Sequence, residues 1–326
     1  MPVARRDPVR RTMWVLALAL LGAAALWRPH ATGRAGAATA GPFLTLAGVI
    51  LAAAGLEAAG VFRWMARRLV PDDLSPRHAF ARVLILVALV SGLINLDVAV
   101  VVAMPVALRA AERTGIPSSG FAIAVAITAN AASILLPTSN LTNLLVMSRT
   151  PLTTGAYLQA SWIAWLGFLA VTVLILTGLL TRGSGGPADH HEVPIRPLSL
   201  SAIWDLVPMF LGATGIRALL GTGLHLTGGF FEQAAAGSLL AAGLNNLPAA
   251  AAVHPLSAAG AWAAVVAMAI GPNLFFSGSV ATVICRRLAR GAGGDLDPVR
   301  FSLVGWTLVP AQVVVAFAGL RLARVV

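Results

Sequence analysis

Apolar stretches closed by short polar or arginine-bearing intervals follow one another along the whole chain, at 13–27, 43–60, 83–108, 119–148, 156–181, 203–221, 232–253, 258–285 and 301–320. Runs of about 18 or more apolar residues are long enough to cross a bilayer as helices, so the pattern predicts an all-α polytopic membrane protein. Two stretches are interrupted by polar and helix-breaking residues. One carries Ser91-Gly92-Leu93-Ile94-Asn95-Leu96-Asp97 in its middle, the other Gly243-Leu244-Asn245-Asn246-Leu247-Pro248. Broken backbone at membrane depth is tolerated only where it is buried in protein or lines a cavity. Each stretch is therefore either a plain crossing or a re-entrant hairpin.

Arginine placement separates the two readings. The chain carries 23 basic side chains, all arginine, for a net charge of +11. They sit in short clusters between apolar runs, the arrangement of topogenic charge, and no basic face with interleaved aromatics points to nucleic acid. Arg5, Arg6, Arg10 and Arg11 favour a cytoplasmic N-terminus. With both interrupted stretches re-entrant, only Arg28, Arg34, Arg149, Arg321 and Arg324 fall on the far side, and Arg217 lies within a helix. Two full crossings weaken that bias. The hairpin reading makes 43–181 and 203–326 two inverted repeats, each with a re-entrant hairpin and a broken transmembrane helix, an architecture common among secondary transporters. Residues 1–42 then form an N-terminal helix and connector, and 182–202 a linker. The arginines before Met13 also resemble a secretory signal, but the many spans that follow favour a retained first helix. The expected location is the cell (inner or plasma) membrane.

The repeat is also visible in the residues. Ser91–Pro105 aligns with Ala241–Pro255, pairing Asn95 with Asn245 and Pro105 with Pro255, and Leu135–Asn143 lies opposite Leu274–Thr282.

Composition narrows the chemistry. Charged residues make up 11% of the chain, against about 25% in soluble domains. A single cysteine, Cys285, excludes a disulfide framework and a thiolate metal cage. His190, His191 and Glu192 fall in the polar linker without further ligands at metal spacing, so they read as solvated, and no metal or cofactor is expected. There is no HExxH, P-loop or GxSxG, which argues against an enzyme.

Polar side chains inside apolar stretches are functional candidates, since an acid at a helix centre costs about 2.5–3.5 kcal/mol in lipid. Four groups qualify: Asn95 with Asp97; Asn130, Ser133, Thr138, Ser139, Asn140, Thr142 and Asn143; Asn245 with Asn246; and Asn273, Ser277, Ser279 and Thr282. Breaking a helix frees carbonyls and N–H groups, which amides and hydroxyls then supplement into a site for a cation, an anion or a neutral polyol. Pro137, Gly271-Pro272 and Gly278 fit the breaks. Asp97 either titrates as a proton carrier, holds Na+, or merely satisfies backbone N–H groups at a turn. The serines and threonines also serve helix packing. Glu57 and Asp205 read as interfacial, Arg217 as snorkelling or paired, His254 as a residue beside a hairpin limb, and Cys285 as incidental.

At these residues the chain resembles the arsenite-pump membrane subunit family, within the ion-transporter superfamily that includes Na+/H+ antiporters and dicarboxylate carriers. The likeness rests on ANAASILLPTSNLTNL (Ala129–Leu144), GLEAAGVF (Gly55–Phe62), INLDVAVVVAMPVAL, GLNNLPAA and GPNLFFSGSVAT. It implies an elevator-type carrier, efflux of arsenite or antimonite driven by protons, and a homodimer. ATP-driven pumping would require a separate ATPase chain. The chain departs from the family at Leu96 and Val98, where polar residues are usual, and at Phe275 and Phe276. Against the family pattern, a scaffold helix is expected to be absent between Trp27 and Phe43. A Na+/H+ antiporter, a dicarboxylate carrier and a non-transporting membrane remnant remain as alternatives, and the expected partners are a small inorganic solute, a coupling ion (H+ or Na+) and the lipid bilayer.

Overall fold

The computed structural model describes residues 8–71, 73–181, 201–221, 223–291 and 294–326. Arg5, Arg6 and the linker residues His190, His191 and Glu192 lie outside them, as does the side chain of Asp205. Among the described residues the chain is helical and forms no strand beyond an isolated bridge between Leu224 and Val253.

The first half comprises α1 (Pro8–Trp27), α2 (Pro29–Ala58), α3 (Val61–Leu69), α4 (Pro76–Leu93), α5 (Leu96–Thr114), α6 (Ser118–Ala132), α7 (Leu141–Met147) and α8 (Thr154–Leu180). The second comprises α9 (Ser201–Leu220), α10 (Phe230–Leu244), α11 (Asn246–Ala252), α12 (Ala258–Ile270), α13 (Val280–Gly291) and α14 (Pro298–Leu322). The interval between Trp27 and Phe43, expected as a connector, is itself helical. Pro29 starts α2 in the first turn, where its missing N–H costs nothing, and Pro42 is accommodated inside the helix. Among the described residues four helices, α2, α4, α8 and α14, are long and apolar enough to cross a membrane.

Local sequence decides which helices lie inside. In α6 every residue from Gly120 to Ala132 is buried, and in α12 every residue from Gly260 to Ile270. Both are apolar all round and rich in alanine, the composition of a helix enclosed by others. By contrast, α8 exposes Leu158, Trp162, Leu166 and Leu174, and α14 exposes Leu303, Trp306 and Val314. A band of exposed large apolar side chains on long helices fits contact with lipid rather than water.

Two cores result. One gathers α4, α5, α6, α13 and the start of α14 around Phe80, Met104, Phe121 and Phe301; the other gathers α7, α8, α10, α11 and α12 around Tyr157, Phe168 and Trp262. Tyr157 stacks on Trp262 at 5.0 Å and donates its hydroxyl to the Ile134 carbonyl at 2.8 Å. Along α8 and α14, Gln312 Nε2 donates to buried Thr172 Oγ1 at 2.9 Å, and Gly319 brings α14 against the Ala164 backbone. Small residues and a buried polar pair are what bind helices where lipid supplies no hydrophobic drive.

Candidate functional site

Four helix breaks carry the polar candidates. Between α4 and α5 the chain turns at Ile94–Asn95. Asn95 is extended and fully buried; its Oδ1 accepts the Asp97 N–H at 2.8 Å and caps α5. Its Nδ2 donates to the Ser139 carbonyl at 3.3 Å in the next break. Between α10 and α11 the turn is Asn245, which adopts φ 80° and is one of two non-glycine residues with positive φ among those described. With ψ 148° this backbone lies outside the left-handed helical well, in a region that glycine occupies far more readily than any residue with a Cβ. Asn245 Oδ1 caps α11 through the Leu247 N–H at 3.3 Å, and Nδ2 donates to the Ser277 carbonyl at 3.1 Å. The two asparagines thus play the same part: each caps the second limb of its helix pair and reaches into the break that follows.

Between α6 and α7, residues 133–140 leave the helix around a short 3-10 turn at Pro137–Ser139. Asn140 Oδ1 accepts the Thr142 N–H at 3.1 Å and its Nδ2 donates to Ser133 Oγ at 3.0 Å. Ser133 in turn donates to the Asn130 carbonyl at 2.7 Å. Asn143 Nδ2 donates to the Ser133 carbonyl at 2.8 Å and to that of Leu136 at 3.2 Å. Ser139 Oγ accepts the Leu136 N–H at 3.1 Å and donates to the Gly92 carbonyl, tying this break to the end of α4. Between α12 and α13 two 3-10 turns, Gly271–Asn273 and Phe276–Gly278, precede Ser279, whose Oγ accepts the Ala281 N–H at 3.2 Å.

A pair of asparagines joins the broken helix of one half to that of the other. Asn130 Nδ2 donates to Asn273 Oδ1 at 2.9 Å, and Asn273 Nδ2 donates to the Ile127 carbonyl at 3.4 Å. Both asparagines are buried. Several oxygens in this region have no hydrogen-bond partner among the described residues: Asn130 Oδ1 (apart from its amide's own donation), Thr142 Oγ1, Asn143 Oδ1 and Thr282 Oγ1, all buried. Native interiors rarely leave such groups unpaired, so these oxygens keep free acceptor capacity inside the breaks.

Other predicted residues are placed less tightly. Asn246 is buried and Thr138 half-buried, while Ser277 is exposed and contributes its carbonyl rather than its hydroxyl. Asp97 is half-buried in the first turn of α5, near enough to the buried Cys285 thiol of α13 to interact electrostatically. No arginine or histidine lies within the four breaks. Phe276 is covered by the Arg286 guanidinium, 5.1 Å from its ring centroid. Arg286 and Arg290 both hold Asp295, at 2.9 and 3.0 Å. Those two arginine bonds hold the Asp295 carboxyl well below the usual carboxylate range.

Long apolar helices that enclose broken, amide-lined backbone define an integral membrane transporter rather than an enzyme. The family model described as "Citrate transporter" (CitMHS) matches residues 6–309, and the chain belongs to that family of secondary transporters. It is 28% identical over 168 residues to the inner membrane protein YbiR of Escherichia coli, a stretch covering 52% of this chain and 45% of YbiR. It is 30% identical over 139 residues to the silicon efflux transporter LSI3 of rice (Oryza sativa subsp. japonica), covering 42% of this chain and 29% of LSI3. The aligned stretches thus span less than half the length of either relative.

Proposed function

We propose that the chain is a proton-coupled secondary transporter that exports a small, uncharged, hydroxylated oxyacid through the four breaks, with arsenite or antimonite as its substrate and silicic acid as a solute of the same chemical class. The observation that carries this reading is the lining: amides and hydroxyls, several with unpaired buried oxygens, while the guanidinium that reaches the breaks, that of Arg286 over Phe276, is committed to Asp295. An uncharged polyhydroxy acid donates and accepts hydrogen bonds and brings no charge that must be neutralised. The silicon named for the rice relative belongs to that class. Asp97, the acid closest to the breaks, is the proton carrier, and Asn95, Asn130, Asn143, Asn245, Asn273 and the adjoining hydroxyls hold the solute. In this reading the α4–α5 and α10–α11 pairs are re-entrant hairpins entering from opposite sides, and the matched roles of Asn95 and Asn245 support two inverted repeats. The N-terminus is cytoplasmic.

A second reading, a carboxylate carrier, is favoured by the family's description and by the N-terminal ends of α5 and α13, which turn toward the breaks and attract negative charge.

The test is uptake by inverted vesicles from cells expressing the whole chain, energised acid-inside and offered arsenite, silicic acid or citrate. Accumulation of arsenite or silicic acid that disappears when the pH gradient is collapsed is expected. Citrate accumulation without response to either oxyacid would overturn the reading in favour of the carboxylate carrier. Uptake driven only by a Na+ gradient would reassign the coupling ion.

A further inference from the structure

Away from the breaks, at the far ends of α7 and α11, arginines and histidines from five segments converge. The loop 223–229 is pinned to the exit of α11 by two backbone hydrogen bonds, Leu224 N–H to the Ala252 carbonyl at 2.8 Å and His254 N–H to the Leu224 carbonyl at 2.9 Å. Gly221 and Gly223, both at positive φ, let the chain make this turn. A Cβ on Gly223 would meet Arg149 Nη1 at 3.0 Å, and one on Gly221 would meet Arg28 Nη1 at 2.8 Å, so both guanidiniums lie directly against the loop. His225 Nδ1 bonds the His254 carbonyl at 2.9 Å, and the two imidazoles meet edge to face at 5.3 Å. Arg217, at the end of α9, faces Arg149 closely enough for mutual repulsion, and both act electrostatically on His254. A cleft of about 650 Å³ opens beside them, lined by Arg28, Arg34 and Arg217 with the small side chains of α2.

Such a gathering has a cost. Arg149 and Arg217 are half-buried, and their hydrogen bonds go only to neutral oxygens: Arg149 Nη1 to the Val253 carbonyl at 3.4 Å and Arg217 Nη1 to Ser148 Oγ at 3.1 Å. A guanidinium has five N–H donors, so most of theirs are uncommitted. Among the described residues no carboxylate is paired with Arg28, Arg34, Arg149 or Arg217. Glu232 turns instead against Gly228 and Gly229 at the start of its own helix. Like charges held together at partial burial repel more strongly than in water, and a bound anion converts that repulsion into attraction.

We propose that this cluster is a binding site for a multiply charged oxyanion group, a phosphate or a polycarboxylate, held by Arg217 in the cleft with Arg28 and Arg34 at its rim and Arg149 adjoining it. Arginine forks match the paired oxygens of such groups, and several around one cleft favour a ligand with more than one negative charge. The site stands one short helix from the breaks: α7 and α11 each have seven residues, a rise of about 10 Å. Its occupant is thus distinct from a solute held at the breaks. The same chemistry is offered by a soluble anion or by the phosphate of an anionic lipid.

The experiment uses the full-length chain in two arms. In an uncharged detergent, thermal unfolding is followed against sodium phosphate and sodium citrate, with sodium chloride at matched ionic strength as control. In nanodiscs, native mass spectrometry compares retention of phosphatidylglycerol with that of phosphatidylcholine. The variants are Arg149→Gln with Arg217→Gln, and, because that pair also supports loop backbone, Arg28→Gln with Arg34→Gln at the exposed rim. Anion affinity is expected to fall about ten-fold or more in the first pair, the loss of charge-assisted bonds to one or two guanidiniums. Stabilisation by phosphate or citrate that the variants lose assigns the site to a soluble anion. Selective phosphatidylglycerol retention that the variants lose assigns it to a lipid headgroup. Identical behaviour of wild type and the rim variant in both arms, with no selective binding, overturns the proposal.

Discussion

Asn130 and Asn273, 143 residues apart in the chain, share a buried hydrogen bond of 2.9 Å that joins the broken helix of the first half to that of the second. Removing either partner strands the other's amide inside the protein. Asn273→Ala is expected to cost about 1–3 kcal/mol, the penalty of an unsatisfied buried polar group. Thermal unfolding in detergent should show it, and the double variant Asn130→Ala/Asn273→Ala should lose less than the sum of the two. Additive losses would mean that the pair is not coupled.

Asp97→Asn keeps the size and the hydrogen-bonding backbone of its position, including the N–H that Asn95 caps at 2.8 Å. The prediction is that it inserts normally and loses proton-driven transport. Normal pH-driven flux in a well-expressed variant would remove Asp97 from the role of proton carrier.

At Asn245 two demands coincide, a positive φ and a cap on α11. Glycine meets the first and not the second, whereas valine meets neither. Asn245→Gly should therefore lose at most a few tenths of a kcal/mol from the cap, offset by relief of the backbone, and Asn245→Val more, by about 1 kcal/mol or above for a β-branched side chain in a glycine-favouring region. The order of the two melting temperatures is the readout, and a valine variant as stable as glycine would refute the backbone argument.

The Asp295 clamp carries a pH signature. Its carboxyl is depressed by hydrogen bonds to Arg286 and Arg290. A group with a lowered folded-state pKa contributes fully above its unfolded value of 3.8 and loses that contribution as pH falls below it. Asp295→Asn should thus narrow the gap in stability between pH 7 and pH 3 relative to wild type, leaving the pH 7 fold intact because the clamp is solvent-exposed. Equal acid sensitivity in both proteins would show that the clamp contributes nothing.

Much of this was legible in the sequence, for a physical reason. Asn95 and Asn245 stand out because amides and helix breakers inside apolar runs have no other economical explanation, and both prove to be caps at the turns expected for them. The breaks around Pro137 and Gly271-Pro272 announce themselves similarly. The interval before Phe43 did not: its glycines, threonines and Pro42 read as connector, yet tertiary contact with α9 holds it in α2. Nothing in the local pattern pairs Asn130 with Asn273, or gathers Arg149, Arg217, His225 and His254. Each lies on a different segment, and only the packing of α7, α9 and α11 brings them together.

The bare Cα of Gly305 has a wider consequence. A methyl group there would collide with the Asn273 carbonyl, so α14 lies flush against the fourth break with nothing between them to act as a bearing. Through the Gln312–Thr172 bond and the Gly319 contact, α8 is keyed to α14 in turn. In the proposed transport cycle, displacing the break therefore drags both long helices as one piece of cargo. A cross-link fixing α8 to α14 should then leave turnover untouched, and the sliding seam must be sought elsewhere in the bundle.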